Sequence, residues 1–151
     1  MALQQRVLIA GAGPVGLVAA AHLARSGVPV TVFEAGPSLS EESRASTFHP
    51  PTLDMLHELG AAKAMIAQGL KAPTFQYRSK KHGLLAQFDF TGIADVTDHP
   101  YRLQCEQSKL TRILYDQMRG HPNFELQFNS PVVGVSQDVS SVEITINRNG
   151  R

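Results

Sequence analysis

Residues 7–16 read VLIAGAGPVG, an apolar run followed directly by three glycines in the pattern GxGxxG. The alanine- and leucine-rich residues 14–26 come next, and a second apolar run closes on Glu34. A strand, a helix and a second strand within about thirty residues make a βαβ unit, which implies parallel strands and a right-handed crossover. The sequence therefore predicts an α/β fold that opens with a dinucleotide-binding unit.

The three glycines have separate tasks in this interpretation. Gly11 permits the tight turn from strand to helix, Gly13 lets the backbone approach a diphosphate, and Gly16 lets the helix pack closely on the strands. Pro14 lies near the first helical turn, where a missing N–H has no cost, and Val15 follows it. The N-terminus of this helix presents free N–H groups and a partial positive charge to an anion.

Glu34 follows the glycines at close to the spacing of about 20 residues that dinucleotide-binding units show. A carboxylate at this position can accept hydrogen bonds from ribose hydroxyls, and it would repel the 2′-phosphate of NADP. Ala35, the next residue, is predicted to lie against the same nucleotide. The alternative is a glycine-rich turn of another α/β protein in which Glu34 faces solvent.

Size and charge place the chain among ordinary globular domains. It has 151 residues and a formal net charge of +1, and we expect one domain over residues 1–151. No run of like charges is longer than a pair of residues. Because binding to a phosphate backbone needs a basic surface, nucleic acid is not an expected partner.

The cysteine and histidine content bears on compartment and metal binding. The single cysteine, Cys105, excludes an internal disulfide and fits a reducing compartment. The six histidines show no metal-site spacing, so no metal is expected. The N-terminal apolar run could imitate a signal peptide, but its glycines and proline, and a length short of the about 20 residues of a membrane span, argue against one. We therefore expect a cytoplasmic protein without membrane contact.

The remaining pattern predicts further helices and strands after a polar loop over residues 36–46. Helices are predicted over about residues 51–59, 61–68 and 108–119, and strands over residues 74–78, 84–90, 101–105 and 124–128. Residues 79–83, which read SKKHG, suggest a hairpin between two of these strands. A parallel or mixed main sheet with an additional antiparallel meander is the expected architecture.

The last ten residues predict a strand followed by a hairpin turn. Residues 142–146 alternate between apolar and polar side chains, as in a half-buried strand, and run into Asn149-Gly150, a strong hairpin signal. The chain stops at Arg151, before a returning strand. The simplest interpretation is the N-terminal part of a longer protein, and the alternative is a frayed end with an incidental Asn-Gly.

Two further stretches, together with GAGPVG and Glu34, point to a particular family. Residues 43–60 read SRASTFHPPTLDMLHELG and residues 107–114 read QSKLTRIL. In this order and at these positions, they resemble the FAD-binding flavoprotein monooxygenases related to 4-hydroxybenzoate hydroxylase. The resemblance runs from about Val7 to Gly150 but covers only the N-terminal portion of that longer family. It implies a Rossmann-like FAD-binding fold.

The resemblance also implies roles for individual residues. The three glycines would cradle the FAD diphosphate, and Glu34 would hold the adenosine ribose. Arg44 matches an arginine that reaches the cofactor, and Gln107 matches a glutamine that hydrogen-bonds the ribityl chain. Alternatively, Arg44 is a surface arginine paired with Glu41 or Glu42, and Gln107 has a solvated amide at the start of a helix. Arg112 is a weaker candidate that supports packing.

The family's chemistry defines the expected activity. In these enzymes NAD(P)H reduces FAD, the reduced flavin reacts with oxygen, and a small, often phenolic, substrate is hydroxylated. No catalytic residue is assigned to this chain, and association through an exposed sheet surface is expected. Two alternatives remain open, namely another FAD- or NAD-dependent oxidoreductase and a truncated, non-catalytic nucleotide-binding module. His49 is interpreted as a turn residue, and Cys105 as a small buried hydrophobe rather than a nucleophile.

Overall fold

The computed structural model describes residues 6–42 and 45–147. These residues divide into two compact units, of which the first spans Met1–Glu42 and Leu110–Arg151 and the second spans Ser43–Lys109. Over the described residues the strands are β1 (Val7–Ala10), β2 (Val30–Phe33), β3 (Thr47–Phe48), β4 (Leu70–Ala72), β5 (Thr74–Ser79), β6 (Gly83–Asp89), β7 (Arg102–Gln104), β8 (Phe124–Gln127), β9 (Val132–Gln137) and β10 (Val142–Ile146). The α-helices are α1 (Pro14–Arg25), α2 (Pro50–Glu58), α3 (Ala62–Gln68) and α4 (Gln107–Met118).

A parallel sheet in the order β1-β2-β8 forms the centre of the first unit. Val30 and Val32 of the middle strand are fully buried, as expected for a strand with neighbours on both sides and a helix on one face. Helix α1 connects β1 to β2 and buries its small residues, Ala20 and Ala24 among them. The predicted βαβ unit is therefore confirmed.

Both ends of helix α1 follow from local sequence. Gly13 caps the N-terminus in an extended conformation without a side-chain hydrogen bond, and Pro14 is the first helical residue. Gly27, two residues beyond the last helical residue, has a φ of +84°, which is common where a helix ends at glycine. The cation and glycine predicted for this helix end are both present, with Arg25 in the last turn.

Strands β9 and β10 form an antiparallel hairpin in the first unit. The predicted strand over residues 142–146 is confirmed, but its partner β9 precedes it and was not predicted. The turn between them is held by Asp138, whose carboxylate accepts backbone N–H groups of Ser140 and Ser141 at 2.7 Å each. These bonds and the Ser140 hydroxyl lower the pKa of Asp138 to about 2. Asn149 and Gly150 lie outside the described residues.

The second unit contains an antiparallel sheet in the order β3-β7-β4 and a separate β5-β6 hairpin. The hairpin confirms the prediction around residues 79–83. Strands β3 and β4 were not predicted, because two- and three-residue strands show too little alternation to be recognised. Helices α2 and α3 bury Leu53, Leu56 and Met65 completely.

Strand β6 ends slightly earlier than the sequence predicted. Strand β6 ends at Asp89, whose side chain accepts the Thr91 N–H and starts a 3₁₀ turn over Phe90–Ile93. The strand predicted over residues 84–90 therefore ends one residue early. Among the described helices, none is long and apolar enough to cross a membrane.

Candidate functional site

The turn from β1 into α1 is the first element of the candidate site. The Gly11 N–H donates to the Phe33 carbonyl at 2.7 Å, which ties the end of β1 to the end of β2. Gly11 has a φ of +97°, a conformation that side chains disfavour, so the sharp turn needs glycine there. A Cβ on Gly16 would collide with the Gly11 carbonyl oxygen and lie 3.3 Å from the Ile9 side chain. The helix can therefore approach the strand only with glycine at residue 16.

The same turn exposes unpaired N–H groups. Leu17 is the first residue after the turn whose N–H is bonded, to the Gly13 carbonyl at 3.0 Å. Within the described part of the chain, the N–H groups of Gly13, Val15 and Gly16 have no acceptor. Val15 is 82% exposed, and a Cβ on Gly13 would meet no atom within 4 Å. With no acidic residue in the first helical turn, this surface suits an anion that approaches the backbone closely.

Glu34 lies beside this turn and is held by four hydrogen bonds. Its carboxylate accepts the Ala12 N–H at 2.8 Å and the Gly36 N–H at 2.9 Å. Its backbone N–H donates to the Gln127 carbonyl, and its carbonyl accepts the Ser130 N–H, both at 2.8 Å. The side chain is partly exposed, and Ala35 next to it is exposed. Carboxylate oxygens are therefore presented next to the glycine-rich turn, within the first unit.

The second unit contains the segments that carry the remaining two predicted residues. Gln107 is the first residue of α4, is partly exposed, and its N–H donates to the Ala45 carbonyl at 3.2 Å. The backbone N–H of Cys105 donates to the Ser46 carbonyl at 2.7 Å, which continues the pairing of β3 with β7. The start of α4 thus lies beside Ala45, the residue that follows Arg44 in the sequence. Arg44 itself is outside the described residues.

The secondary candidates Arg112, His49 and Cys105 have the surroundings of surface or packing residues. Arg112 is exposed and lies 3.7 Å from the Glu41 carboxylate, one of the two glutamates considered as partners of Arg44. His49 is the exposed N-cap residue of α2. Burial raises the pKa of the Cys105 thiol, which keeps it protonated at neutral pH and fits a packing residue rather than a nucleophile.

Sequence reasoning missed one polar cluster in the second unit. His99 is 5% exposed, and its Nδ1 lies 2.6 Å from the Asp54 carboxylate, which also accepts the Thr97 hydroxyl at 2.8 Å. These hydrogen bonds lower the pKa of Asp54. A cavity of about 370 Å³ lies against the cluster. The ring centroid of His57 lies 5.6 Å from that of His99, and the two rings are tilted relative to each other. No local spacing could have paired Asp54 with residues some forty positions away.

The arrangement of the described side chains bears on metal binding. Among residues 6–42 and 45–147, no group of three or more histidine, cysteine, aspartate or glutamate side chains is arranged to hold a metal ion.

A glycine-rich turn with free N–H groups, followed by a carboxylate at the end of the next strand, defines the class of dinucleotide-binding βαβ proteins. The family described as FAD binding domain matches residues 4–151, nearly the whole sequence. The chain therefore belongs to the FAD-binding domains, and the resemblance to flavoprotein monooxygenases is confirmed.

Individual relatives agree with this family. The chain is 36% identical to 6-hydroxy-3-succinoylpyridine 3-monooxygenase of Pseudomonas putida over 146 residues, covering 97% of this chain and 37% of the relative. It superposes on the crystal structure of p-nitrophenol 4-monooxygenase from Pseudomonas putida with a TM-score of 0.87 at 30% identity, over 96% of this chain and 38% of that one. A complex of aklavinone-11 hydroxylase with FAD and aklavinone gives a TM-score of 0.77 at 26% identity, over 95% and 30% of the two chains. The chain thus spans between 30% and 38% of the length of these relatives.

Proposed function

We propose that this chain forms the FAD-holding part of a flavin-dependent monooxygenase that hydroxylates a small aromatic substrate, with NAD(P)H as the electron donor and oxygen as the second substrate. The observation that carries the proposal is the glycine-rich turn, where unpaired N–H groups, open space at Gly13 and the Glu34 carboxylate lie next to each other. The names of the relatives, which act as monooxygenases or hydroxylases, supply the reaction class.

The residues present fit FAD in chemical detail. The N–H groups of Gly13, Val15 and Gly16 would bind the diphosphate, aided by the positive end of the α1 dipole. Gly11 and Pro14 would shape the turn.

The nucleoside end and the flavin end of FAD would be held by different residues. Glu34 would accept the adenosine ribose hydroxyls, with Ala35 beside it. Arg44, with five N–H donors and a permanent charge, suits diphosphate or ribityl oxygens. Gln107 would donate to or accept from the ribityl chain at the start of α4.

Bound FAD would supply the redox chemistry, carrying electrons from NAD(P)H to oxygen for hydroxylation. The chain's own part is to anchor and orient that cofactor. The carboxylate of Glu34 favours a cofactor whose adenosine ribose has a free 2′-hydroxyl, because a 2′-phosphate would be repelled. This preference concerns the bound dinucleotide and does not decide between NADH and NADPH as the donor.

The cellular location of the protein and its association with further polypeptide belong to the same proposal. The single cysteine supports a cytoplasmic location. Strand β1 lies at the edge of its described sheet, with Val7 36% and Leu8 38% exposed. Because the strands of parallel sheets are normally buried on both faces, the exposure of Val7 and Leu8 supports association with further polypeptide, which size-exclusion chromatography with light scattering would detect.

The direct experiment purifies the chain and records its visible spectrum, then identifies any released flavin by chromatography. Yellow protein that releases FAD supports the proposal. Colourless protein that binds NAD but not FAD would instead favour another oxidoreductase of the same βαβ class.

Activity of the chain is measured separately, as oxidation of NADH and NADPH by the FAD-loaded protein with a panel of phenols. FAD binding without any NAD(P)H oxidation by the 151 residues would identify this chain as a cofactor-binding module on its own. The same assay on a longer polypeptide that includes this chain would then test the monooxygenase assignment.

A further inference from the structure

We propose that Glu34 is a positioning residue for the glycine-rich turn as well as an acceptor for the ribose, so that its carboxylate sets the orientation of the N–H groups that bind the diphosphate. This inference rests on the proposed FAD-binding function and deepens it.

The geometry shows one side chain joining two backbone segments. Oε2 of Glu34 accepts the Ala12 N–H at 2.8 Å, and Oε1 accepts the Gly36 N–H at 2.9 Å. Ala12 lies between Gly11 and Gly13 and is 4% exposed, so its N–H has little access to water. The carboxylate thus connects the middle of the glycine-rich turn to the loop that follows β2.

The turn needs such a connection because its own composition makes it loose. Glycines at residues 11 and 13 leave the backbone around Ala12 with unusual conformational freedom. Apart from the Glu34 carboxylate, the described bonds of the turn are Gly11 to Phe33 at its start and Leu17 to Gly13 at its end. A charge-assisted hydrogen bond to Ala12 therefore fixes the peptide immediately before the exposed Gly13 N–H.

Holding the turn does not prevent Glu34 from binding ribose. An ionised carboxylate offers about four acceptor sites, and two are used by the two N–H groups. The remaining lone pairs can accept ribose hydroxyls. The two roles of Glu34 can therefore be separated with a nucleotide that has no ribose hydroxyls.

Charge and positioning predict opposite results for such a nucleotide. Removal of the Glu34 negative charge should strengthen binding of the anionic diphosphate, if charge alone matters. Loss of the hydrogen bond to Ala12 should weaken it, because the diphosphate-binding N–H groups are no longer held in place. The sign of the change therefore decides between the two roles.

The experiment measures calorimetric affinities of the whole chain for ADP and for 2′,3′-dideoxy-ADP, in the native protein and in Glu34→Gln. We expect Glu34→Gln to bind dideoxy-ADP about tenfold more weakly, as loss of one charge-assisted bond implies. Glu34→Ala, which removes both acceptors, should lose at least as much.

Glu125→Gln is the matched control. Glu125 is a carboxylate of β8 in the same sheet, and it accepts side-chain bonds from Arg6, Thr31 and Gln127 rather than any bond from the glycine-rich turn. Glu125→Gln perturbs the sheet and takes away one negative charge. The affinity of this variant for dideoxy-ADP should nevertheless stay within about twofold of that of the native protein.

Amide hydrogen exchange gives a readout without nucleotide. Exchange of the Ala12 amide should become faster in Glu34→Gln, while in Glu125→Gln it should match the native protein. A merely structural role of Glu34 would raise exchange across the whole sheet in Glu34→Gln rather than at the Ala12 amide in particular.

The outcomes separate the inference from the function on which it rests. Unchanged or tighter binding of dideoxy-ADP by Glu34→Gln, with weaker binding of ADP, would show a ribose acceptor only. Equal losses in Glu125→Gln would show general destabilisation. A native chain that binds neither FAD nor ADP would overturn the proposed function, and the positioning role with it.

Discussion

Gly16 in helix α1 packs directly against the carbonyl of Gly11 at the end of the preceding turn, with no room for a side chain between them. The contact joins the first turn of the helix to the strand that leads into it. It explains why the last glycine of the GxGxxG pattern serves packing, whereas the middle glycine serves access.

Gly16→Ala should therefore destabilise the protein. The added methyl group would collide with the Gly11 carbonyl and press on the Ile9 side chain, so the helix must move away from the sheet. Overpacking of this kind typically costs about 1–3 kcal/mol, and backbone rather than a flexible side chain must give way here. The free energy of unfolding, measured with urea and circular dichroism, is the test. Gly120→Ala is the control, because a Cβ at that position meets nothing within 4 Å. An unchanged free energy of unfolding in Gly16→Ala would contradict the packing of Gly16 against Gly11.

Gly13→Ala should leave the stability of the protein nearly unchanged but weaken its binding of FAD. A Cβ on Gly13 meets no protein atom within 4 Å, and the residue has an ordinary φ of −70°. Stability without FAD should therefore change by no more than about 0.5 kcal/mol. The methyl group would, however, occupy the space that the diphosphate needs, so the affinity for FAD should fall by about tenfold or more. Fluorescence titration with FAD measures the loss, and full affinity in this variant would place the diphosphate elsewhere.

The elements that sequence predicted well are those whose signal is local. The βαβ unit is read from two apolar runs, a helix start at Pro14 and a glycine beyond Arg25, all within a short stretch. The β5-β6 hairpin likewise shows its turn residues and its flanking apolar residues together. Each of these patterns reflects interactions between residues that are close together in the sequence.

The elements that were missed depend on distant partners. Strand β3 has two residues and exists because Thr47 and Phe48 pair with β7, which lies more than fifty positions later. The Asp54–His99 pair has the same character. The site residues were predicted in part. The sequence pattern located Glu34 and the glycines, but it could not show that the Glu34 carboxylate accepts the Ala12 N–H.

Asp54→Asn should lower stability in a pH-dependent way. Hydrogen bonds from His99 and Thr97 lower the pKa of Asp54 in the folded protein. A lowered folded pKa means that the carboxylate stabilises the fold fully above its unfolded value of about 3.9, and that this contribution is lost as pH falls through the folded pKa. The difference between the urea midpoints of native protein and Asp54→Asn should thus be largest at neutral pH and shrink below about pH 4.

Asp116→Asn provides the comparison for that series. Asp116 lies on α4 at 3.8 Å from the Arg119 side chain, in an exposed ion pair of the kind that contributes little to stability. Its urea midpoint should follow the native curve over the whole pH range. If Asp54→Asn does the same, the hydrogen-bonded cluster around His99 contributes nothing measurable to folding.

Arg44→Ala and Gln107→Ala should both weaken FAD binding, and by different amounts. Loss of a charged donor to the diphosphate or ribityl oxygens costs about 1.5–3 kcal/mol, equivalent to about 10- to 150-fold in the dissociation constant. Loss of a neutral amide bond costs about 0.5–1.5 kcal/mol, or about 2- to 10-fold. FAD titration followed by flavin fluorescence measures both.

Arg112→Ala is the matched arginine control for this comparison, because its guanidinium is exposed and lies 3.7 Å from Glu41. Removing it should change the affinity for FAD by less than about twofold, since an exposed ion pair is weak. An Arg44→Ala variant that behaves like Arg112→Ala would make Arg44 a surface residue, the alternative that its sequence context allows. Because Ala45 accepts the Gln107 N–H, a loss in both Arg44→Ala and Gln107→Ala would indicate that these two neighbouring segments hold one part of the cofactor together.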